Sequence, residues 1–163
     1  MDTAIKRSSA QRFMSWTIIV FVLGLIGFGA FQVFQDVTKQ RPLIEIGGNT
    51  FRSELAVTDA EKGKGLGGRE SIGKDEAMLF VFDKDDRWGI WMKGMKMPID
   101  IIWLDADKKI VHIEADVQPD AEPYDIYKPA KPARYVIEMA AGNAKASDIK
   151  VGMQAKFELE EEQ

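Results

Sequence analysis

The chain has 163 residues, 45% of them hydrophobic and none of them cysteine. That suffices for one packed domain beside a short flanking segment, while the missing thiols exclude disulfide frameworks, thiolate nucleophiles, zinc–cysteine sites and iron–sulfur clusters. The formal net charge is −4, and of the acidic and basic residues only Asp2, Lys6, Arg7 and Arg12 precede residue 36; the acidic remainder repels phosphate backbones, so no nucleic-acid partner is expected.

Between Arg12 and Asp36 no side chain is charged. As a helix, roughly 20 residues rising about 1.5 Å each cross a hydrocarbon core of about 30 Å. Gly24, Gly27 and Gly29 are costly in a soluble helix and common in membrane spans. Residues 15–35 are therefore expected to form a single transmembrane anchor in contact with membrane lipid, after a short basic cytoplasmic tail over 1–14. The alternative is a cleaved signal peptide, whose apolar region is usually about 7–15 residues, shorter than this one. Lys39, Arg41 and Arg52 follow the stretch nearly as closely as Lys6, Arg7 and Arg12 precede it. The tight clustering of the first three places the C-terminal domain outside the cytoplasm.

Residues 36–42 read as a linker ending at Pro42. A hairpin over residues 43–57 turns at Gly47-Gly48-Asn49. Thr58 and Glu61 form a capping box, and the helix they start is kept brief by Gly63 and Gly65. The apolar run 77–82 has strand length and is closed by a charged turn over 83–87. A strand follows over 88–92, and then strands 99–104 and 110–117 make a hairpin around Asp105-Ala106-Asp107-Lys108-Lys109. Four of the six prolines fall in residues 118–133, which mark a long loop. Strand 134–139, a helical turn over 143–148 and a last strand over 153–159 complete the domain at 43–159, ahead of an acidic tail over 160–163. The fold class expected is mainly β with one or two short helices, a small barrel or sandwich, plus the N-terminal transmembrane helix. No internal repeat is visible.

Gly65-Leu66-Gly67-Gly68-Arg69, Met78-Leu79-Phe80-Val81-Phe82, Trp91-Met92-Lys93, Pro98-Ile99-Asp100-Ile101, Tyr135-Val136-Ile137-Glu138, Ala141-Gly142 and Ile149-Lys150-Val151-Gly152 occur in order. Together this series resembles the domain of unknown function 192 family. The resemblance implies a compact β-rich domain, often exported or membrane-tethered, with no established activity. It also groups Arg69, Trp91, Lys93, Asp100 and Glu138 as a candidate cluster. The chain departs from the family pattern at Gly67, at Gly94-Met95 and at Ala140, so several polar groups of that pattern are replaced here.

Residues 63–68 fit GxGxxG, but without the strand before and long helix after that a dinucleotide site needs, the segment reads as a flexible turn. His112, the lone histidine, falls in a strand and reads as an exposed side chain; no serine lies in an elbow motif. Met92, Met95 and Met97 offer thioether sulfur suited to Cu(I) and are equally good core fillers. Asp100, between Ile99 and Ile101, is costly in an apolar run unless paired. It is expected to pair with Arg69 or Lys93 in an ion network that includes Glu138, the alternative being a ligand site. Trp88, Trp91 and Trp103 either line a pocket beside it or fill the core. No cofactor is indicated. The function expected is a membrane-anchored extracytoplasmic binding or assembly module for an envelope protein, glycan or small ligand. Two alternatives stay open: an envelope-acting enzyme with Asp100 or Glu138 as acid or base, and Cu(I) handling through the three methionines.

Overall fold

The computed structural model describes residues 22–25, 27, 28 and 41–159. The chain divides into two units, Met1–Lys39 and Gln40–Gln163. In the first, residues 22–25, 27 and 28 are helical; the other residues of the expected span 15–35 lie outside the described residues. Among the described residues no helix is long and apolar enough to cross a membrane. A span needs roughly 20 consecutive apolar helical residues, and the transmembrane helix expected over 15–35 is corrected on that ground. The fold class becomes mainly β, with an open sheet and few short helices.

The second unit begins with β1 (Leu43–Ile46) and β2 (Asn49–Ala56). Gly47 and Gly48 join them at φ +59° and +76°, the positive dihedrals that a tight hairpin of this twist requires. Helix α1 (Asp59–Lys64) follows, with the Thr58–Glu61 capping box formed as the sequence suggests. Then come β3 (Glu76–Asp86), β4 (Ile90–Trp91), β5 (Ile99–Leu104), β6 (Ile110–Val117), β7 (Ile126–Tyr127), β8 (Ala133–Ala140) and α2 (Asn143–Ala146). The large sheet has the order β1-β2-β3-β8-β5-β6, and β4 pairs with β7 in a separate ribbon. β2 and β3 are parallel, which the crossover through α1 permits and a tight hairpin does not.

β5 is buried at all six positions, so both faces of the sheet centre are covered. Side chains alternate between faces with period two, and the core divides accordingly. Ile102, Leu104, Leu79, Ile137 and Met139 join Ile44, Phe51, Ala144, Ile149 and Phe157 in one cluster. Ile99, Ile101, Trp103, Met78, Phe80 and Val136 join Leu66, Met92 and Met97 in the other.

The two edges of the open sheet share one cover. Glu45 and Lys156 exchange backbone hydrogen bonds of 2.8 Å each, while the backbone N–H of Ile110 donates to Met153 O at 2.9 Å and that of Ala155 to Lys108 O at 2.9 Å. The predicted last strand is thus a staple, forming isolated bridges to β1 at Glu45 and beside β6 at Lys109. Lys108 Nζ donates to Phe157 O at 2.6 Å and lies 4.7 Å from that ring's centroid. The charged segment 83–86, predicted as a turn, continues β3 instead.

Phe157 is 3% exposed and anchors the staple to the first cluster. Phe157→Ala is expected to destabilise the chain by roughly 3–5 kcal/mol, measured by urea unfolding. A loss under about 1 kcal/mol would show that the staple is peripheral to the core.

Candidate functional site

Glu138 sits on β8 opposite Met78 of β3 and Ile101 of β5, on the face of the second cluster. Glu54 of β2 faces Met78 from the far side, so Glu54, Met78, Glu138 and Ile101 form one row across four strands. At about 4.8 Å per strand the two glutamates stand roughly 10 Å apart. Arg69 reaches into this row from the segment after α1. Its guanidinium grips Glu54 with both terminal nitrogens, at 3.0 and 2.7 Å, the planar fork that a carboxylate matches.

The glycine-rich segment is a tight wrap, more constrained than the flexible turn expected. Gly65 holds φ +49° at the end of α1, and the chain turns back so that the backbone N–H of Leu66 donates to the Glu138 carboxyl. A Cβ on Gly67 would stand 2.8 Å from Lys64 O and 3.1 Å from Lys93 O, a space only glycine fits. The GxGxxG spacing here serves backbone packing against Glu138.

Glu138 is 4% exposed, and its Oε2 has no hydrogen-bond partner. It borders a cavity of about 30 Å³ also lined by Lys62, Lys64, Gly65, Trp91 and Lys93. Burial pushes the Glu138 pKa up to about 8, against the smaller opposing effects of the Leu66 N–H and the Arg69 charge. At neutral pH the group is therefore protonated, and its O–H is a donor. Lys93 Nζ lies 5.4 Å from the Trp91 ring centroid, and Trp91 is 44% exposed at the rim. Lys62 donates to Val81 O at 3.3 Å and lies 3.7 Å from Asp59.

Of the five sequence candidates, Trp91, Lys93 and Glu138 meet at this cavity. Arg69 acts on Glu138 only through its charge. Asp100 does not join them. It is fully buried on the opposite face, opposite Met139, because one position along a strand reverses the side chain. The expected pairing with Arg69 or Lys93 is corrected: Oδ1 accepts from the Asp116 N–H and Oδ2 from the Ala144 N–H, each at 2.8 Å. The carboxyl joins β5, β6 and the first turn of α2. Sequence reasoning missed Gly65, the Leu66 N–H, Lys62 and Lys64; the capping box, which fixes where the helix must end, was the available signal.

The other candidates are structural in placement. Met92 and Met97 are buried in the second cluster, with Met95 packed against it. His112 is partly buried, with Nε2 3.0 Å from Glu114 Oε1, where an exposed ring was expected. Trp103 lies wholly in the core, and Trp88 stacks on Phe82 at 4.2 Å between centroids.

Residues 43–157 match the domain of unknown function 192 (DUF192) family, described as uncharacterized ACR, and the chain belongs to that family. A UPF0127 protein of Pyrococcus abyssi is 33% identical over 78 residues, covering 47% of this chain and 62% of its relative. Another from Thermococcus gammatolerans is 33% identical over 101 residues, covering 61% of each. The chain thus spans less than two thirds of these relatives' length. Among solved structures, a Sinorhizobium meliloti 1021 protein described as a candidate transcription regulator superimposes with a TM-score of 0.67 at 27% identity, over 74% of this chain and 94% of that one. A Novosphingobium aromaticivorans DSM 12444 protein of unknown function gives 0.66 at 32% identity, over 72% and 84%.

Asp100→Asn keeps one acceptor oxygen and turns an amide donor toward a backbone N–H. It is expected to cost about 2–4 kcal/mol in chemical unfolding, whereas exposed Asp107→Asn should stay within about 0.5 kcal/mol; equal stability of both variants would contradict the bridging role. For Glu138, the folded pKa of about 8 lies above the ordinary value of 4.5. Its protonated form supports folding fully below the ordinary value, and that support is lost as pH rises through about 8. Compared with Glu138→Gln, wild-type protein should lose roughly 1.4 kcal/mol per pH unit across that window, read by urea unfolding at pH 5, 6.5 and 8. A difference constant with pH would place the group in water.

Proposed function

We propose that this domain is a binding module that holds the end group of a ligand at Glu138 and does not turn it over. The observation that carries this reading is the buried, unpartnered Glu138 Oε2 at a lysine-lined cavity. Buried polar atoms are otherwise paired in folded proteins, so an unpartnered carboxyl oxygen just beneath the lining of a cavity is a position prepared for a polar partner. Size supports binding over turnover. A whole-substrate site spans about 300–1,000 Å³, and this cavity of about 30 Å³ takes only a functional group. The ligand's body then lies outside, over Trp91. An envelope protein, glycan or small molecule outside the cytoplasm suits this arrangement, and the acidic balance of residues 36–163 argues against nucleic acid.

One observation favours a second reading. A carboxyl protonated at neutral pH is what a general acid requires, so an envelope enzyme would act through Glu138. Asp100 is unsuited to that role, with both its oxygens occupied by backbone donors.

Thermal unfolding of the full chain against small carboxylates, sugars and peptidoglycan fragments tests both. A ligand at a hundredfold excess over its Kd should stabilise by about 2.7 kcal/mol, a rise of roughly 5–10 °C, and Trp91→Ala should reduce that rise. Consumption of the ligand during incubation would favour the enzyme; no shift with any member of the panel would count against binding.

A further inference from the structure

A second opening, apart from Glu138, is bounded by α1, the far half of β3 and the segment that follows it. We propose that it binds a neutral saccharide, one pyranose ring lying with its C–H face on the Trp88 indole and its hydroxyls on the charged side chains around it. The opening has a volume of about 300 Å³ and is lined by Asp59, Lys62, Phe82, Asp83, Lys84 and Trp88. That volume reaches the range of small-molecule sites, about 300–1,000 Å³. Of these residues only Lys62 also lines the Glu138 cavity.

Trp88 is a fixed platform. One face of its indole lies on Phe82, with centroids 4.2 Å apart and planes 9° from parallel. Its Nε1–H donates to Lys84 O at 3.1 Å, and its carbonyl accepts from Trp103 Nε1–H at 2.9 Å. Phe82 is buried while Trp88 is only partly so, which makes the indole the outer layer of the stack. Lys62 Nζ lies 5.0 Å from the Phe82 centroid, so the inner ring already has its cation. A side chain held this way loses little freedom when a ligand arrives, and weak contacts then suffice for binding.

The lining sets the ligand class. Its two ammonium groups and two carboxylates balance, with Lys62 3.7 Å from Asp59 and Lys84 3.8 Å from Asp86. A cation would meet the two lysines and an anion the two aspartates, so neither gains from a net field. A flat aromatic ligand would cover the indole but would take water from the charged rim without replacing its hydrogen bonds. A pyranose supplies both halves. Its weakly positive C–H bonds suit the negative face of the indole, and its hydroxyls donate to carboxylates and accept from ammonium groups. Asp83, exposed and outside any ion pair among the described residues, is the rim acceptor most open to a pair of hydroxyls.

Indole nitrogen–proton spectra of the full chain, with the Trp88 signal assigned by its loss in Trp88→Phe, test this. The probes are cellobiose, maltose, tetramethylammonium and benzoate. At least one disaccharide is expected to move the Trp88 signal, with tetramethylammonium and benzoate weaker by about tenfold or more. A tenfold rise in salt should change that disaccharide's affinity by less than about twofold, as for an uncharged ligand. Asp83→Ala, at an exposed position, should weaken it several-fold with the melting temperature unchanged. Tetramethylammonium or benzoate matching the disaccharides would overturn the ligand class, as would an affinity that Asp83→Ala leaves intact. A shift at Trp91 with none at Trp88 would overturn this site and leave the reading at Glu138 standing. A Trp88 signal that no probe moves would overturn the proposal whatever happens at Glu138.

Discussion

Strands β3, β8 and β5 carry side chains into a core on both faces, and nearly every other feature of the domain follows from that. A sheet covered on two sides must keep strict two-residue register across its central strands, because a slip by one position would exchange the two cores. The register does more than pack apolar residues. It decides which buried polar groups can ever meet. Glu138 belongs with Val136 and Phe80, and Asp100 with Met139, so the pleat separates two carboxyls that the sequence places in neighbouring motifs.

Those two acids show opposite answers to the same cost. An acid withdrawn from water must be paired, hydrogen-bonded or neutral. Asp100 receives two backbone N–H groups and ties three segments together. Glu138 receives one, from Leu66, and keeps its proton. The saturated group has nothing left to offer a ligand, while the half-satisfied one does. Incomplete satisfaction, more than burial itself, sets Glu138 apart from Asp100.

The elements legible in the sequence were those set by local rules: the glycine turn of β1–β2, the Thr58–Glu61 cap, the β5–β6 hairpin and the short α2. The features that escaped were set by distant partners. Asp83 to Asp86 look like a turn because they are charged, yet they extend β3 toward Ala133. Residues 153–159 have a strand's pattern but meet two different edges, so no long ladder forms. Trp91, Lys93 and Glu138, which the motifs put together, line one cavity. Asp100 lies on the other face of the sheet, because adjacency in motif order carries no information about which face a side chain takes. The expected span at 15–35 rested on an uncharged, glycine-containing apolar stretch of membrane-crossing length, and among the described residues no helix is long and apolar enough to cross.

The staple over residues 152–157 joins β1 and β6 with backbone hydrogen bonds that an open sheet otherwise leaves for any passing strand. One short segment thereby blocks both lateral surfaces through which copies of this chain would stack into cross-β arrays. Cutting the chain within residues 152–157 would therefore remove protection at two places in a single event. Loss of that segment would uncover backbone donors and acceptors on β1 and beside β6 together, so a few hydrogen bonds keep two sheet edges from pairing with other strands.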